Sequence, residues 1–285
     1  MNKYIKYVIV SISFLLGHTT INAQQSKKEL SIHLGSTINL ISHGISNEDT
    51  KSKYGNIVGL SYSFYFNDNW SIGIGVDYQS YRSSIALESI EDSYNTIDFD
   101  GDLFEFRYTA NNYNESLKIE NLNFPLTVQY ETSGTRTRFY ALAGIKAGFV
   151  LNSSYQTNIT SIKTSGYYAQ YNAILNDPEF IGFGTFNDIN TSEEDLNTGM
   201  AWFTTLEAGI KHYLNNKNAV YIGIFFDSGL NSIIDQEQQQ QEVVTYPTDE
   251  YPVVLEYNSI TQSKFSEKIR FSTFGLKIRF AFLNK

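Results

Sequence analysis

The stretch NIVGLSYSFYFNDNWSIGIGVDYQS, Asn56 to Ser80, is the strongest constraint on what this chain can fold into. Val58, Leu60, Tyr62, Phe64 and Phe66 recur at every second position, and beyond a short NDN turn Trp70, Ile72, Ile74, Val76 and Tyr78 do the same. Period two is the mark of a strand with one apolar face. Much of the opposite face is small or polar, carrying Gly59, Ser61, Ser63, Ser71, Gly73, Gly75, Asp77 and Gln79. A soluble sheet would turn the apolar row towards a core. A membrane barrel would turn it towards lipid and fill its own interior with the small and polar row.

Six further segments carry the same period. ELSIHLGSTINL sets Leu30, Ile32, Leu34, Ile38 and Leu40 against Ser31, His33, Gly35, Thr37 and Asn39. LKIENLNFPLTVQY sets Leu122, Phe124, Leu126, Val128 and Tyr130 against Asn121, Asn123, Thr127 and Gln129. RFYALAGIKAGFVL, WFTTLEAGIKHYL, AVYIGIFFDSGL and KIRFSTFGLKIRFAF complete the set. Eight is an even number and the smallest usual count for a membrane barrel. Long connections over 42–54, 82–116, 152–199 and 231–266 alternate with the short FNDNW, ETSGTRTR and LNNKN. The expected fold is therefore all-β: an eight-stranded antiparallel transmembrane meander barrel with short periplasmic turns and long extracellular loops. A soluble Greek-key sandwich is the alternative. The third and fourth long connections hold enough aromatic and β-branched residues to extend the barrel as hairpins or to pack over its mouth.

The first residues, MNKYIKYVIVSISFLLGHTTINAQ, run from basic to apolar to small, the order of a cleaved secretory signal. Cleavage after Ala23 would leave 24–285 as the barrel domain. No later run approaches the roughly 20 apolar residues a membrane helix needs. With no Cys, the chain has no disulfide, thiolate nucleophile or lipidated cysteine. A formal net charge of −9 gives no basic footprint for nucleic acid.

With the apolar rows facing lipid, Asp77, Lys146, Glu207, Lys211, Asp227, Lys277 and Arg279 fall inside the barrel. There they would pair as a plug that holds the strands together, with conduction or binding as the competing reading. Trp70, Tyr130, Phe280 and Phe282 suit an aromatic belt at the periplasmic interface. DFDGD places Asp98, Asp100 and Asp102 two apart, a spacing that could bring oxygen ligands to calcium. Gly101, however, stands one position off the calcium-loop pattern and Thr109 takes the place of a bidentate Glu, which favours a solvated acidic loop. His33 has Ser31 two residues away but no carboxylate visible in the sequence to orient it. His43 and His212 make no metal set, and there is no phosphate loop, zinc motif or nucleophile elbow. The sequence thus assigns no catalytic, cofactor-binding or metal residue, and no enzyme activity is expected.

Together LKIENLNFPLTVQY, FYALAGIKAGFVLNSSY, FTTLEAGIKHYL and FSTFGLKIRFAF resemble the outer membrane beta-barrel family abundant in Bacteroidota, including its PorT-like group, over residues 29–282. The resemblance implies an eight-strand barrel in the cell outer membrane with a periplasmic amino terminus. Some members resemble parts of secretion or gliding machinery, which would add an envelope or secretion-machinery protein to outer-membrane lipid as a partner. The chain closes on FAFLNK, so Phe282 rather than the last residue supplies the terminal-strand aromatic. The expected function is an integral outer-membrane barrel with a structural or surface-interaction role. A narrow small-solute channel and a secreted β-rich binding module are the alternatives.

Overall fold

The computed structural model describes residues 27–42, 45, 49–234, 241–266 and 269–284. The segment read as a secretory signal, His43 and most of the Gln-rich piece lie outside the described residues. The strands are β1 (Lys28–Ser42), β2 (Asp49–Tyr65), β3 (Trp70–Ile97), β4 (Leu103–Glu131), β5 (Thr137–Tyr168), β6 (Ala173–Leu175), β7 (Gly184–Asn190), β8 (Glu194–Asp195), β9 (Ala201–Tyr213), β10 (Asn218–Gly229), β11 (Val244–Thr245), β12 (Glu256–Tyr257) and β13 (Arg270–Asn284).

Strand β1 pairs with β13 from Lys28↔Asn284 to Ser42↔Arg270, and β5 pairs with β9 from Thr137↔His212 to Gly148↔Ala201. The antiparallel order β1-β2-β3-β4-β5-β9-β10-β13 therefore closes into an eight-strand ring. Closure is what hydrocarbon demands, because an open edge would leave N–H and C=O groups without water or a partner. Turns at 66–69, 132–136 and 214–217 form one rim, and the long connections leave from the other.

In the lower part of the ring the apolar rows face out. Leu30, Leu34, Val58, Ile72, Ile74, Leu126, Leu206, Ile222 and Leu276 are exposed, while Ser31, Thr37, Ser71, Asn123, Thr205 and Thr273 are buried. Trp70 and Tyr130 pair across β3 and β4 with ring centroids 5.0 Å apart, and Phe280 and Phe282 pair likewise at the short-turn rim. At the same rim Nδ1 of His212 lies 2.9 Å from Thr137 Oγ1. All seven charges placed inside by the alternation are buried there.

The second long connection departs from expectation. Residues 82–116 are not a loop: β3 and β4 run on through them to a tip at 98–102, and β5 continues beside them to Tyr168. Along these three strands the polarity of the two faces inverts. On β4 the inward row is Asn121, Asn123 and Gln129 below but Phe104, Phe106, Tyr108, Leu117 and Ile119 above. The outward row changes the other way, from Phe124, Leu126 and Val128 to Glu105, Arg107, Asn114 and Lys118. The changeover coincides with a register shift between Glu120 and Asn121. One strand thus serves two solvents: inside-out in lipid, then apolar-in and polar-out in water.

The upper sheet is closed by the chain itself. Residues 241–266 lie across it as a strap, burying Val243, Val244, Tyr246, Val253, Leu255 and Ile260 against Tyr81, Ile85, Phe104, Phe106 and Tyr113. Phe104 sits at the centre, stacked on Tyr168 at 5.1 Å and edge-on to Phe183 and Tyr246 at 5.5 and 5.0 Å. The strap is pinned at Glu115, which accepts from Tyr113 Oη at 2.6 Å, Ser259 Oγ at 2.8 Å and the Ile260 amide at 2.9 Å. That amide opens the short 3-10 turn Ile260–Gln262, whose free N–H groups suit a carboxyl partner.

Candidate functional site

Two places gather polar chemistry: the lumen and the tip. In the lumen the charges form three tiers. Nearest the short turns, Nζ of Lys211 lies 2.8 Å from Glu29 Oε2, 2.9 Å from Glu131 Oε1 and 2.9 Å from Tyr65 Oη. Tyr221 donates to Glu29 Oε1 at 2.6 Å, and Tyr65 donates to Glu131. In the middle, Glu207 receives Lys277 Nζ at 2.7 Å, Arg279 Nη2 at 2.6 Å and Tyr140 Oη at 2.7 Å. Above, Lys146 pairs with Asp227 at 2.8 Å and His33 Nε2 lies 2.9 Å from Asp77 Oδ1.

The His33–Asp77 contact spans an intervening strand. His33 is level with Gly59 on β2, and Gly59 is level with Asp77 on β3. A Cβ at Gly59 would stand 2.7 Å from His33 Nε2 and collide with Asp77 Oδ1, so only glycine leaves the two side chains room to meet. Gly223 does the same for Tyr140, whose hydroxyl fills the place of a Cβ on its way to Glu207. Gly59→Val is expected to separate His33 from Asp77 and destabilise the barrel by about 1–3 kcal/mol through overpacking. A denaturant midpoint in detergent equal to that of the unaltered protein would refute this.

Sequence alternation named most of the interior charges but missed Glu29, Glu131, Tyr65, Tyr140 and Tyr221. Glu29 and Glu131 lie in phase with Ser31 and Gln129, so the signal was there: Glu29 opens the segment ELSIHLGSTINL, and Glu131 stands one step beyond the end of LKIENLNFPLTVQY. The carboxylate orienting His33 could not be found that way, because it depends on cross-strand register.

The tiers leave little space. The void beside His33, Asp77, Lys146 and Glu207 is about 30 Å³, room for about one water. Above it Tyr81 lies between Phe203 at 5.9 Å and Phe271 at 5.0 Å, all fully buried, so an aromatic layer seals the polar interior from the upper core. A trough of about 500 Å³ over Ala141, Ala143 and Ala208 is a gap among lipid-facing side chains, on the outside of the wall.

At the tip, Asp98, Asp100 and Asp102 line a cleft of about 710 Å³ with Phe99, Tyr168, Tyr171, Tyr246 and Tyr251. Asp98 builds the turn: its Oδ1 accepts the Asp100 and Asp102 amides at 3.1 and 2.9 Å, while Gly101 takes φ +88°. Its Oδ2 accepts Tyr168 Oη at 2.9 Å, and Asp102 Oδ2 accepts Tyr171 Oη at 3.1 Å. The acidic run is therefore structural first, tying the β3–β4 tip to the end of β5. Around it Phe99, Leu103, Tyr171, Phe180 and Tyr251 stand more than half exposed. Phe99 and Phe180 meet Tyr251 at 5.9 and 6.1 Å, which makes them one patch rather than scattered residues.

A closed eight-strand ring with lipid-facing apolar rows agrees with the comparison of sequences: the model of the outer membrane protein beta-barrel domain matches residues 22–235. The chain belongs to that family. No curated protein matches this outer-membrane barrel. Among solved structures it is similar to Neisserial surface protein A, at 9% identity over 88% of this chain and 95% of that one, with a TM-score of 0.34. The N-terminal barrel domain of OprF from Pseudomonas aeruginosa gives 12% identity, 90% and 100% coverage and a TM-score of 0.31. Ail, the attachment invasion locus protein of Yersinia pestis, gives 11%, 89% and 98%, and 0.29. The assignment rests on the family match and the closed ring. The protein is an integral barrel of the cell outer membrane.

Proposed function

We propose that this barrel works as a rigid stand, holding its extracellular β-unit and aromatic tip above the membrane for contact with another macromolecule. The observation that carries the reading is the polarity inversion: three ring strands continue into water as one soluble-type unit, whose far end exposes a contiguous apolar patch. Exposed patches of that kind mark interaction surfaces. The resemblance to the PorT-like barrels of Bacteroidota supports an envelope or secretion-machinery protein as the partner. The domain reading goes with it, a signal removed after Ala23 and a barrel over 24–285, and the intact mass of purified protein tests that part.

A photo-crosslinking residue at Phe99 or Tyr171 in living cells is expected to give a discrete adduct absent when the same residue replaces Thr109 on the polar outer wall. Absence of any adduct at both tip positions counts against the reading. The channel alternative makes a separate demand. With the lumen filled, planar-bilayer recordings should show no reproducible unitary conductance, and a steady single-channel step would overturn the sealed-lumen account.

A further inference from the structure

The point on the outer wall where lipid-facing side chains give way to polar ones carries an uneven charge. Arg82 on β3 is level with Lys118 on β4 and Ser154 on β5, and the next rung up aligns Lys51, Ser84, Ser116 and Gln156. Lys53 leaves a bulge in β2 and its Nζ reaches Ser116 Oγ at 3.2 Å. Lys53, Arg82, Lys118, Ser116 and Ser154 surround a recess of about 190 Å³ open to the outside. Three carboxylates are close: Glu120 pairs with Lys118 at 3.1 Å, Glu193 lines the recess while accepting from Ser154 Oγ, and Asp195 on β8 is level with Ser154. Against them stand four cations, of which Lys51, Lys53 and Arg82 have no ion-pair partner within 4.0 Å among the described residues. This surplus belongs to a chain whose net charge is −9.

Height decides what the recess faces. Lys118 is four residues above Leu122, where the lipid-facing row of β4 begins, about 13 Å along the strand and less along the tilted membrane normal. That is the depth of headgroups, within reach of lysine and arginine side chains that extend along the wall. We propose that Lys53, Arg82 and Lys118, with Ser116 and Ser154, bind the phosphate of an outer-leaflet lipid headgroup whose acyl chains run down the apolar row below. Arg82 supplies planar paired donors, the two lysines supply point charges and the serines neutral donors, a combination suited to a phosphate monoester. Free phosphate has the same chemistry but gains nothing from the apolar wall beneath the recess.

The test titrates detergent-purified full-length protein with diphosphoryl lipid A, dephosphorylated lipid A and inorganic phosphate, counting bound ligand by native mass spectrometry. The unaltered protein should retain the diphosphoryl form preferentially. The triple variant K53Q/R82Q/K118Q should bind it about 100-fold more weakly, each cation near a charged lipid surface contributing roughly a factor of five. R107Q/K163Q, which removes two cations higher on the upper wall, should leave it unchanged. Heat-modifiable migration confirms that each variant is folded. Equal binding of the phosphorylated and dephosphorylated lipids, or an unchanged triple variant, overturns the site. Competition by inorganic phosphate at the lipid's own concentration overturns its assignment to lipid.

Discussion

Lys211→Met should unfold the barrel at markedly lower denaturant than the unaltered protein, with a loss of about 3–5 kcal/mol. Lys211 is fully buried and is the only cation within 4.0 Å of Glu29 among the described residues; Glu131 has just Arg138 besides, at 3.3 Å. Methionine keeps the volume but leaves two carboxylates facing one another at the foot of the lumen, each already holding a tyrosine hydroxyl. The penalty is that of stranding buried charge, more than that of losing a favourable pair. A triple variant, K211M/E29Q/E131Q, should therefore recover most of the loss, because neutral groups of similar size need no counter-charge. Lys217→Met, in an exposed turn, should stay within about 0.5 kcal/mol. Heat-modifiable migration and urea titration in detergent read all three, and a Lys211→Met barrel as stable as its parent would remove the case for the plug as a structural device.

The strap should loosen as pH rises. Burial under residues 259–261 pushes the Glu115 carboxyl up to about 7, from an ordinary value near 4.5, despite the donors around it. Tyr113 on its own strand, Tyr155 on β5, and Ser259 and Thr261 in the strap are the groups that face it, and no Lys, Arg or His pairs with it among the described residues. The folded state thus holds the proton more tightly than the free chain. This contribution is complete below about pH 4.5 and is lost as pH rises through 7, on the order of 3 kcal/mol over the window. Hydrogen exchange or limited proteolysis of residues 241–266 should show protection falling between pH 5 and 8 while the lipid-facing strands stay protected. Glu115→Gln should flatten that profile, since an amide keeps acceptors in place and does not titrate. A profile equally steep in the variant would assign the pH dependence elsewhere.

The ring was legible because lipid imposes an unbroken period of two on every strand that crosses it. Val58 to Phe66 and Leu122 to Tyr130 need no neighbour to be read. The upward continuation was not legible, for two physical reasons. Its faces carry the opposite polarity, so the rule that identifies a lipid-facing strand points the wrong way above Arg82. Its phase also slips: the inward positions step by three, not two, from Leu87 to Ile90, Ala110 to Tyr113 and Ile159 to Ile162. These steps lie side by side, with Leu87 level with Tyr113 and Ile159, and Ile90 level with Ala110 and Ile162. Asn112 takes φ +52° at the step on β4. A single fault line across three strands keeps the sheet paired while scrambling the alternation in each sequence. The tip was half legible: DFDGD announced a turn and a cluster of acids, but the aromatic walls come from residues 168–171 and 246–251, which only the folded chain brings beside it.

Because β3, β4 and β5 pass from bilayer to water without a break, no hinge separates the part in the membrane from the part outside. From Arg82 to Ile97 the strand climbs on the order of 40 Å at about 3.3 Å per residue, allowing for tilt. On the proposed reading, a partner engaged at Phe99 and Tyr251 would be met at a set standoff and a set angle, and a pull on it would travel along hydrogen-bonded ladders into the closed ring.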